Sequence, residues 1–514
     1  MAALVLAAAA LTGCTGGSSP DPAPGQRTPT AGPSPSPVAM TVTHSMSVNG
    51  VLVDVEVGPV AVADGLGVLR LAAPNTAPHL ALDMWDVFVG TGSVSASGVR
   101  LVDLEAGTVS LPTPDEHGVA ASGSGSPGGP ATDAAQAAAG EGVEILYTTY
   151  TAPTGSTVDV VLTQGGVVHD VPVVDAADAG ELTVPVSEIT DDVVTAQPVA
   201  TLESFTAQAG GAVRTRETQE QVQVELGSDV LFAVDSDQLG PDAGAALAAV
   251  AARIESAPGG ALTIVGHTDD VLDEGYNQAL SERRARSVAD GLAGLVALTR
   301  FDVTVTGVGE SEPAVDDTSD SARALNRRVT LTFAPAREPA EATPVEGQVP
   351  DATGPVASGT EPVQAVVSWD GDTFSVAAQE VRRVGRFLVG QLLVTSTGTE
   401  EPLNGGALTA GAFDPRGTFV PRLQAAANNV TLLVGDTRFY PVDYLDGDRR
   451  DVLADRNLNG IEPGTARVVT VVWGDPGGDT VIIDAPGMSH VVGGTVIDDG
   501  GAPFRLTDVP VTEG

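Results

Sequence analysis

The chain contains no lysine, so each of its 25 permanently positive side chains is an arginine. These arginines face 67 aspartates and glutamates, which gives a formal net charge of −42. Such a surface would be repelled by nucleic-acid phosphates and by anionic lipid headgroups. The composition therefore excludes nucleic acid as a partner and predicts a well-solvated acidic protein.

Cysteine and long apolar runs are also scarce. The single cysteine, Cys14, cannot form a disulfide within the chain. It follows the apolar run Ala2–Leu11, which is too short to cross a bilayer but suits a signal peptide. The letters Leu11-Thr12-Gly13-Cys14 resemble the bacterial lipobox, in which a peptidase cleaves before a lipid-modified cysteine. We therefore expect residues 1–14 to form a lipoprotein signal, with Cys14 anchoring an exported protein to a membrane of the bacterial envelope.

Side chains for catalysis or metal binding are not grouped in the sequence. The six histidines lie far apart, without a short metal-ligand spacing such as HxxxH. His267 stands two residues before Asp269, but neither a serine elbow nor a free cysteine nucleophile accompanies this pair. We interpret His267 as a structural histidine, and we expect a protein without enzymatic activity, metal or cofactor.

Composition and hydrophobic period divide the 514 residues into several segments. Pro/Ser/Gly-rich stretches predict disordered tethers, and short β-branched runs between turns predict β-sandwiches. The expected segments are a tether at 15–37, a β-sandwich at 38–205 with a disordered insertion at about 119–141, a different domain at 215–335, a linker at 336–362, and a second β-sandwich at 363–514.

The two strand-rich segments resemble each other. "YTAPTGSTVDVVL" begins at Tyr150 and "WGDPGGDTVIID" at Trp473, and in both an aromatic residue precedes a Pro-X-Gly turn and an apolar strand. We interpret the segments as two copies of one all-β sandwich. They resemble the immunoglobulin-like modules of exported bacterial lipoproteins.

The hydrophobic period changes from two to 3.6 in the middle segment. A first helix is predicted from apolar residues at helical spacing: Leu239, Ala243, Leu247, Val250 and Ile254. A second is predicted over about Tyr276–Leu295, with a buried stripe of Leu280, Val288, Leu292 and Leu295. With the strands around them, these helices give the order β-α-β-α-β-β, a compact α/β sandwich.

One arginine of the second helix lies at the edge of its buried stripe. Asn277, Ser281, Arg284 and Val288 follow one another at spacings of four, three and four, whereas Arg283 and Arg286 point to solvent. Arg284 therefore needs an acceptor, and Asp269, at the end of "TIVGHTD", is expected nearby. The pair could bind the ammonium and carboxylate of an α-amino acid. Equally, the two side chains could form a simple ion pair with each other.

Five ordered motifs in the middle segment carry a family resemblance. They are "FAVDSDQL", "IVGHTDD", "YNQALSERRARSV", "GVGESEP" and "NRRVTLTF". Their order and spacing resemble the OmpA C-terminal-like domain, the peptidoglycan-binding module of outer-membrane proteins, Pal-type lipoproteins and flagellar-motor stators. The resemblance covers about residues 222–333.

The resemblance implies a role for each matching residue. Asp269 would hold the free amino end of diaminopimelate in the wall stem peptide, and Arg284 would hold its carboxylate. Asn277 would order the loop, Arg328 would close the site, and main-chain contacts would come from Val234, Asp235 and Ser236. The family commonly has glycine where this chain has Leu272, so we expect a re-routed loop there.

The sequence thus predicts a lipid-anchored, non-enzymatic envelope protein that binds peptidoglycan and tethers a membrane to the cell wall. An alternative is an envelope scaffold whose β-sandwiches recruit a partner protein by strand addition, while the middle domain only positions them.

Overall fold

A computed structural model gives the fold of most of the chain beyond residue 39. Residues 40–514 form one compact unit. The structure describes residues 40–48, 51–74, 98–113, 122–124, 143–162, 165–182, 199–208, 211–316, 318–336, 348–367, 371–399, 402–403, 405–408, 416, 426–447, 449–455, 461–487, 489–492, 495–498 and 501–514.

The described residues of the N-terminal part form ten strands. Strand β2 is central, because β1 and β3 pair with it antiparallel and β9 pairs with it in parallel. A short helix α1, Ala176–Ala179, follows β9. The strands are β1 Val42–Val48, β2 Val51–Ala63, β3 Leu66–Pro74, β4 Arg100–Asp103, β5 Thr108–Ser110, β6 Ser122–Ser124, β7 Val143–Thr151, β8 Thr157–Leu162, β9 Gly166–Asp175 and β10 Ala200–Thr201.

The central part has the predicted order β-α-β-α-β-β, preceded by two additional strands and supplemented by two short helices. In chain order its elements are β11 Ser204–Gln208, β12 Val213–Glu217, β13 Val222–Gly227, α2 Ser228–Leu231, α3 Ala243–Ser256, β14 Gly260–Gly266, α4 Glu274–Ala293, β15 Phe301–Gly307, α5 Asp320–Asn326 and β16 Arg328–Phe333.

Helices α3 and α4 cover one face of the central sheet. Leu247, Val250 and Ile254 of α3 are buried against strand residues such as Leu262 and Leu331. Asp273 caps α4, because its carboxylate accepts hydrogen bonds from the backbone of Gly275 and Tyr276. The expected helices are therefore present, but α3 begins only at Ala243, and Leu239 lies before it.

Helix α4 ends earlier than the sequence predicts. Its last residue is Ala293, and Leu280, Val288 and Leu292 are buried as expected. Leu295 lies beyond the end of the helix and is 55% exposed, so its assignment to the buried stripe was wrong. The helical spacing of apolar residues predicts burial only within the helix itself, and not for residues beyond its last hydrogen-bonded turn.

Glycine allows α4 to approach the sheet closely. A Cβ atom on Gly266, at the end of β14, would lie 2.1 Å from the carbonyl oxygen of Ser281. A Cβ on Gly307, at the end of β15, would lie 2.3 Å from the backbone nitrogen of Glu282. Both distances are shorter than van der Waals contact, so the two glycines fix the position of the α4 turn that leads to Arg284.

The described residues of the C-terminal part form 14 strands, several of which continue the central sheet. They are β17 Val356–Ser358, β18 Val363–Val366, β19 Thr373–Val384, β20 Phe387–Ser396, β21 Thr431–Val434, β22 Thr437–Phe439, β23 Asp443–Asp446, β24 Arg449–Val452, β25 Ala466–Gly474, β26 Thr480–Ala485, β27 Ser489–Val492, β28 Thr495–Asp498, β29 Phe504–Pro510 and β30 Thr512–Glu513.

One sheet of 11 strands joins the central and C-terminal parts. Its order is β15-β14-β16-β13-β12-β11-β22-β21-β26-β29-β17, and β14 and β15 are parallel. The junction is the antiparallel pairing of β11 with β22, for example Thr206 opposite Phe439. The central domain is therefore joined by backbone hydrogen bonds to strands more than 200 residues away.

Two of the predicted irregular segments contain strands. Strand β6 lies inside the insertion expected at 119–141 and pairs with β7. Strand β17 lies inside the linker expected at 336–362 and pairs in parallel with β29. Both predictions were too long, because pairing partners distant in sequence order short segments of unremarkable composition.

Several other predictions are not tested by the described residues. The signal at 1–14 with Cys14 and the tether at 15–37 lie outside the described residues. The chain is β-rich, and the assignment of its flanking parts to immunoglobulin-like sandwiches stays a prediction. Within the described part of the chain, no helix is both long and apolar enough to cross a bilayer.

Candidate functional site

The residue Asp269 lies just beyond β14, at the end of the central sheet. Its Oδ2 accepts a hydrogen bond of 2.7 Å from Nη1 of Arg327. Its other oxygen, Oδ1, accepts only a long contact of 3.4 Å from the backbone nitrogen of Val271. One edge of the carboxylate is thus fixed, and the other remains able to accept a hydrogen bond from a ligand.

Arg327 holds two carboxylates at once. It forms a two-pronged contact with Asp229 of α2, from Nε to Oδ1 at 2.8 Å and from Nη2 to Oδ2 at 2.7 Å. The hydrogen bonds from Arg327 lower the pKa of Asp229, and the same contacts raise the pKa of Arg327. The rigid fork of the guanidinium therefore positions Asp269 beside the α4 helix.

Arg284 of α4 is buried, with 5% of its surface exposed. Its Nε donates a hydrogen bond of 2.9 Å to the carbonyl oxygen of Ser236, and its guanidinium carbon lies 5.2 Å above the ring of Phe232. Burial lowers the pKa of Arg284, and the nearby Asp229 acts against that shift. Across the described ranges, no hydrogen-bond partner is found for its two terminal nitrogens.

Asp269 and Arg284 do not form an ion pair with each other in the described structure. The carboxylate of Asp269 forms its ion pair with Arg327, whereas Arg284 donates to the main-chain oxygen of Ser236. The simple ion pair that the sequence left open is therefore not what the structure contains. A carboxylate and a guanidinium lie in one site without neutralising each other directly.

Asn277 connects the loop after β14 to helix α4. Its amide nitrogen donates to the carbonyl oxygens of Asp269 and Leu272, both at 3.2 Å, and to the carboxylate of Glu310 at 2.6 Å. The side chain is buried, so these contacts satisfy a group that would otherwise be costly to bury. Asn277 thus orders the Asp269 loop.

Leu272 occupies its loop position without a left-handed backbone. The non-glycine residues with positive φ among those described are Asp64, Asp170, Asp235 and Asp508. The loop therefore accommodates Leu272 by another route than the turn that glycine permits in the family. Its side chain is half exposed beside Val271 and Tyr276.

The loop after α2 forms the opposite wall of the site. Val234 is 99% exposed, and Asp235 has a left-handed φ of 61°. The hydroxyl of Tyr276 donates a hydrogen bond to the Asp235 carboxylate, and the carbonyl oxygen of Ser236 accepts from Arg284. The structure thus brings together Asp269, Asn277, Arg284 and residues 234–236, as the sequence predicts. We call Asp229, Asp269, Asn277, Arg284 and Arg327 the front site.

Arg328 is not part of the front site. Successive residues of a strand point to opposite faces, so Arg327 and Arg328 diverge at the start of β16. The Nη2 atom of Arg328 contacts the carbonyl oxygen of Glu312 at 3.3 Å, on the reverse face of the sheet. The residue that closes the site beside Asp269 is its neighbour Arg327, which the sequence argument missed because "NRRV" offers two arginines in succession.

His267 also lies on the reverse face. It is buried, and its Nε2 contacts the hydroxyl of Thr330 at 3.4 Å. Burial, together with the positive charge of Arg328, lowers the pKa of His267 to about 4. The imidazole is therefore neutral at pH 7 and points away from Asp269, which fits a structural histidine.

The other arginines of α4 face solvent. Arg283 pairs with Asp237 at 2.9 Å, and Arg286 contacts Glu282 at 3.5 Å on the same helix. Arg286 is 66% exposed on its side chain, so this contact contributes little to stability. Of the three clustered arginines, Arg284 alone is directed into the front site.

The fold and the site together define a two-layer α/β domain with a candidate site at the ends of its strands. A model of the OmpA family matches residues 231–327, a range that includes Asp269, Asn277, Arg284 and Arg327. This chain therefore carries an OmpA family domain.

Known relatives match about a fifth of the chain. Outer-membrane lipoprotein YfiB of Pseudomonas aeruginosa is 40% identical over 108 residues, which are 21% of this chain and 62% of that protein. Outer membrane porin F of the same organism is 38% identical over 110 residues, 21% of this chain and 31% of that protein. The chain covers less than two thirds of either relative.

A solved structure also shows similarity to part of this chain. The cell wall anchor of the T6SS from Pseudomonas aeruginosa is 28% identical and covers 24% of this chain and 90% of its own chain, with a TM-score of 0.22.

Proposed function

We propose that this protein binds peptidoglycan non-covalently through the front site. The ligand is the diamino acid of the stem peptide, diaminopimelate. Its free ammonium binds the Oδ1 side of Asp269, and its carboxylate binds the terminal nitrogens of Arg284. The observation that carries this proposal is a fixed carboxylate and a buried guanidinium in one site, neither of which neutralises the other.

The charges of the front site suit a zwitterion. Two carboxylates, Asp229 and Asp269, are balanced by two guanidinium groups, Arg327 and Arg284. The site therefore presents a carboxylate and a guanidinium close together, as an amino-acid head group requires. Each charge-assisted contact contributes about 1.5–3 kcal/mol.

The membership of residues 231–327 in the OmpA family supports the same ligand class. Anchorage at Cys14 would hold the protein at a membrane while the front site holds the wall. Two linked attachments raise the local concentration of each binding partner, so binding at the front site can be modest and still tether membrane to wall. The role is structural and needs no catalytic step.

Co-sedimentation of the full chain with purified peptidoglycan tests the proposal. Wild type should pellet, and Asp269→Asn and Arg284→Gln should each bind about 10- to 100-fold more weakly, because each loses one charge-assisted contact. Arg286→Gln is the matched control, since Arg286 lies on the same helix but faces solvent.

Unchanged pelleting of both site variants, with their fold verified by circular dichroism, would contradict the assignment of these two residues. Failure of the wild type to pellet would contradict peptidoglycan binding itself. The flanking strands would then be the place to seek a function, as the scaffold alternative predicts.

A further inference from the structure

The reverse face of the central sheet carries a second candidate site. A cavity of about 300 Å³ lies there, and five of the chain's 25 arginines line it. We call this cavity the rear pocket; its charged lining consists of Arg214, Arg216, Arg328, Arg416, Arg450 and Glu225. In a chain of net charge −42, such a concentration of arginine needs an explanation.

Strand alternation produces this lining. In β12, Val213 points towards the helices and belongs to the hydrophobic core. Arg214 and Arg216 point to the reverse face of the sheet. Arg214 lies opposite Glu225 of β13, and Arg328 begins the neighbouring strand β16. A two-layer domain would expose this face to water, but here Arg416 and Arg450 of the C-terminal part cover it.

Two of the arginines are neutralised within the protein. Arg216 donates to Glu203 at 2.8 Å and to Asp443 at 3.0 Å. Arg450 donates to the same two carboxylates, with 2.8 Å to Asp443. Two guanidinium groups therefore share two carboxylates, and this half of the lining is balanced.

The other half is not balanced. Arg214 and Arg328 share a single carboxylate, Glu225, at 3.4 and 3.7 Å. Glu312, whose charge also favours protonated Arg328, has its side chain in solvent at the cavity edge. Among the described side chains that line the pocket, arginines therefore outnumber carboxylates.

In both of these arginines a buried donor lacks a well-formed hydrogen bond. The Nε atoms of Arg214 and Arg328 lie 3.4 and 3.7 Å from the carboxylate oxygens of Glu225, and neither forms a hydrogen bond within the described residues. Both residues are more than nine-tenths buried and line the cavity. A buried donor without a hydrogen bond is unfavourable, so a further acceptor inside the pocket would stabilise both side chains.

We propose that the rear pocket binds the phosphate group of a small molecule. A phosphate offers several acceptor oxygens, and guanidinium groups bind it in a two-pronged geometry. It supplies acceptors for the Nε atoms of Arg214 and Arg328 and offsets part of the arginine charge. The cavity volume lies at the lower limit of small-molecule sites, which selects free phosphate or a small phosphomonoester over a polymer.

This inference is independent of wall binding, because the front site uses Arg327 and the rear pocket uses Arg328. A bound phosphate would also link the central sheet to the C-terminal part, since it contacts β12 and β16 on one side and lies beside Arg450 of β24 on the other. Occupancy would therefore stabilise the joint between the two parts.

Thermal unfolding of the full chain tests the proposal. The melting temperature is measured at pH 7.5 with 10 mM inorganic phosphate, glycerol phosphate, succinate or chloride at equal ionic strength. Phosphate or glycerol phosphate should raise the melting temperature of the wild type by about 2–4 °C relative to chloride. A larger shift with phosphate would identify free phosphate as the ligand, and a larger shift with glycerol phosphate would identify a phosphomonoester.

Variants assign the effect to the rear pocket. Arg214→Gln and Arg328→Gln should abolish the phosphate response, whereas Arg284→Gln should keep it and so exclude phosphate binding at the front site. Arg286→Gln is the surface control. If phosphate has no effect on the wild type, if succinate alone is effective, or if Arg284→Gln abolishes the response, the proposal is overturned.

A direct measurement covers the case in which the buried-arginine variants do not fold. Equilibrium dialysis of wild type and Arg284→Gln against labelled phosphate should give one bound phosphate per chain in both proteins. No binding at 10 mM phosphate would overturn the proposal, and the lining would then be an ion-pair network that only joins two parts of the chain.

Discussion

The adjacent residues Arg327 and Arg328 lead into two sites of opposite character. Arg327 contacts two carboxylates at 2.7 and 2.8 Å and completes the front site. Arg328 shares one carboxylate with Arg214, and its buried Nε lies 3.7 Å from that carboxylate without forming a hydrogen bond. In our proposals, the same type of side chain therefore helps to bind a zwitterion on one face of the sheet and an anion on the other.

Accessibility also differs between the two sites. The front site is open, bordered by the exposed side chains of Val234, Val271 and Leu272, and so can receive a ligand attached to a polymer. The rear pocket is covered by residues from a distant part of the chain and admits only small molecules. Access to the site, in addition to charge, thus separates wall binding from small-anion binding.

The largest expected effect comes from disturbing the contact between α4 and the sheet. In Gly266→Ala the added methyl would lie 2.1 Å from the Ser281 carbonyl oxygen. The helix must shift, and we expect unfolding to become easier by about 1–3 kcal/mol in a denaturant titration. Wall binding should fall as well, because Arg284 moves with the helix, whereas the phosphate response of the rear pocket should persist.

Gly244→Ala is the control for this substitution. Gly244 lies in α3 with open space around its Cα, so alanine should be neutral or stabilise the helix by about 0.5–1 kcal/mol. Equal destabilisation by both substitutions would contradict the role assigned to the close approach at Gly266.

The pH dependence of stability tests the reverse face. His267 has a pKa of about 4 in the folded protein and about 6.5 when unfolded, so the unfolded chain binds the proton more readily between these values. Stability should therefore fall as pH decreases from 6.5 towards 4, and between pH 7.5 and pH 5 His267 should account for about 2 kcal/mol of the loss.

The variant His267→Gln isolates this contribution from that of the many carboxylates. Denaturant titrations at pH 7.5 and pH 5 should show a smaller loss in the variant than in the wild type, by about 2 kcal/mol. An identical loss in both proteins would mean that His267 is not buried beside Arg328 as described.

A smaller effect is expected from replacing each of the two adjacent arginines, Arg327 and Arg328, in turn. Arg327→Gln leaves Asp229 and Asp269 without their shared partner, so wall binding should weaken about 10-fold while stability changes by at most about 1 kcal/mol, since Asp229 is largely exposed. Arg328→Gln should change wall binding less than about twofold. If Arg328→Gln weakened wall binding more than Arg327→Gln in a co-sedimentation assay, the assignment of Arg327 to the front site would be contradicted.

Much of the central domain could be predicted from local patterns. The helical spacing of Leu247, Val250 and Ile254 and the alternation in the strands predicted the order β-α-β-α-β-β. The positions of Asp269, Asn277 and Arg284 relative to these elements also followed, because an edge position on a helix and the end of a strand are local properties.

The remaining features depend on contacts that no local pattern contains. The choice between Arg327 and Arg328 requires the register of β16, and a shift of one residue exchanges the faces. Asp229 was missed because α2 is a single turn. The rear pocket depends on Arg450, which lies more than 100 residues beyond β16, in the separate two-stranded sheet of β23 and β24.

The most direct test of the central claim is calorimetric titration of the full chain with two soluble stem peptides. They differ only in whether the third residue is diaminopimelate or lysine, which lacks the second carboxylate. The diaminopimelate peptide should bind at least about 10-fold more tightly, and Arg284→Gln should remove that difference. Equal affinities of the wild type for the two peptides, or a difference that persists in Arg284→Gln, would contradict the claim that the front site recognises the diamino acid.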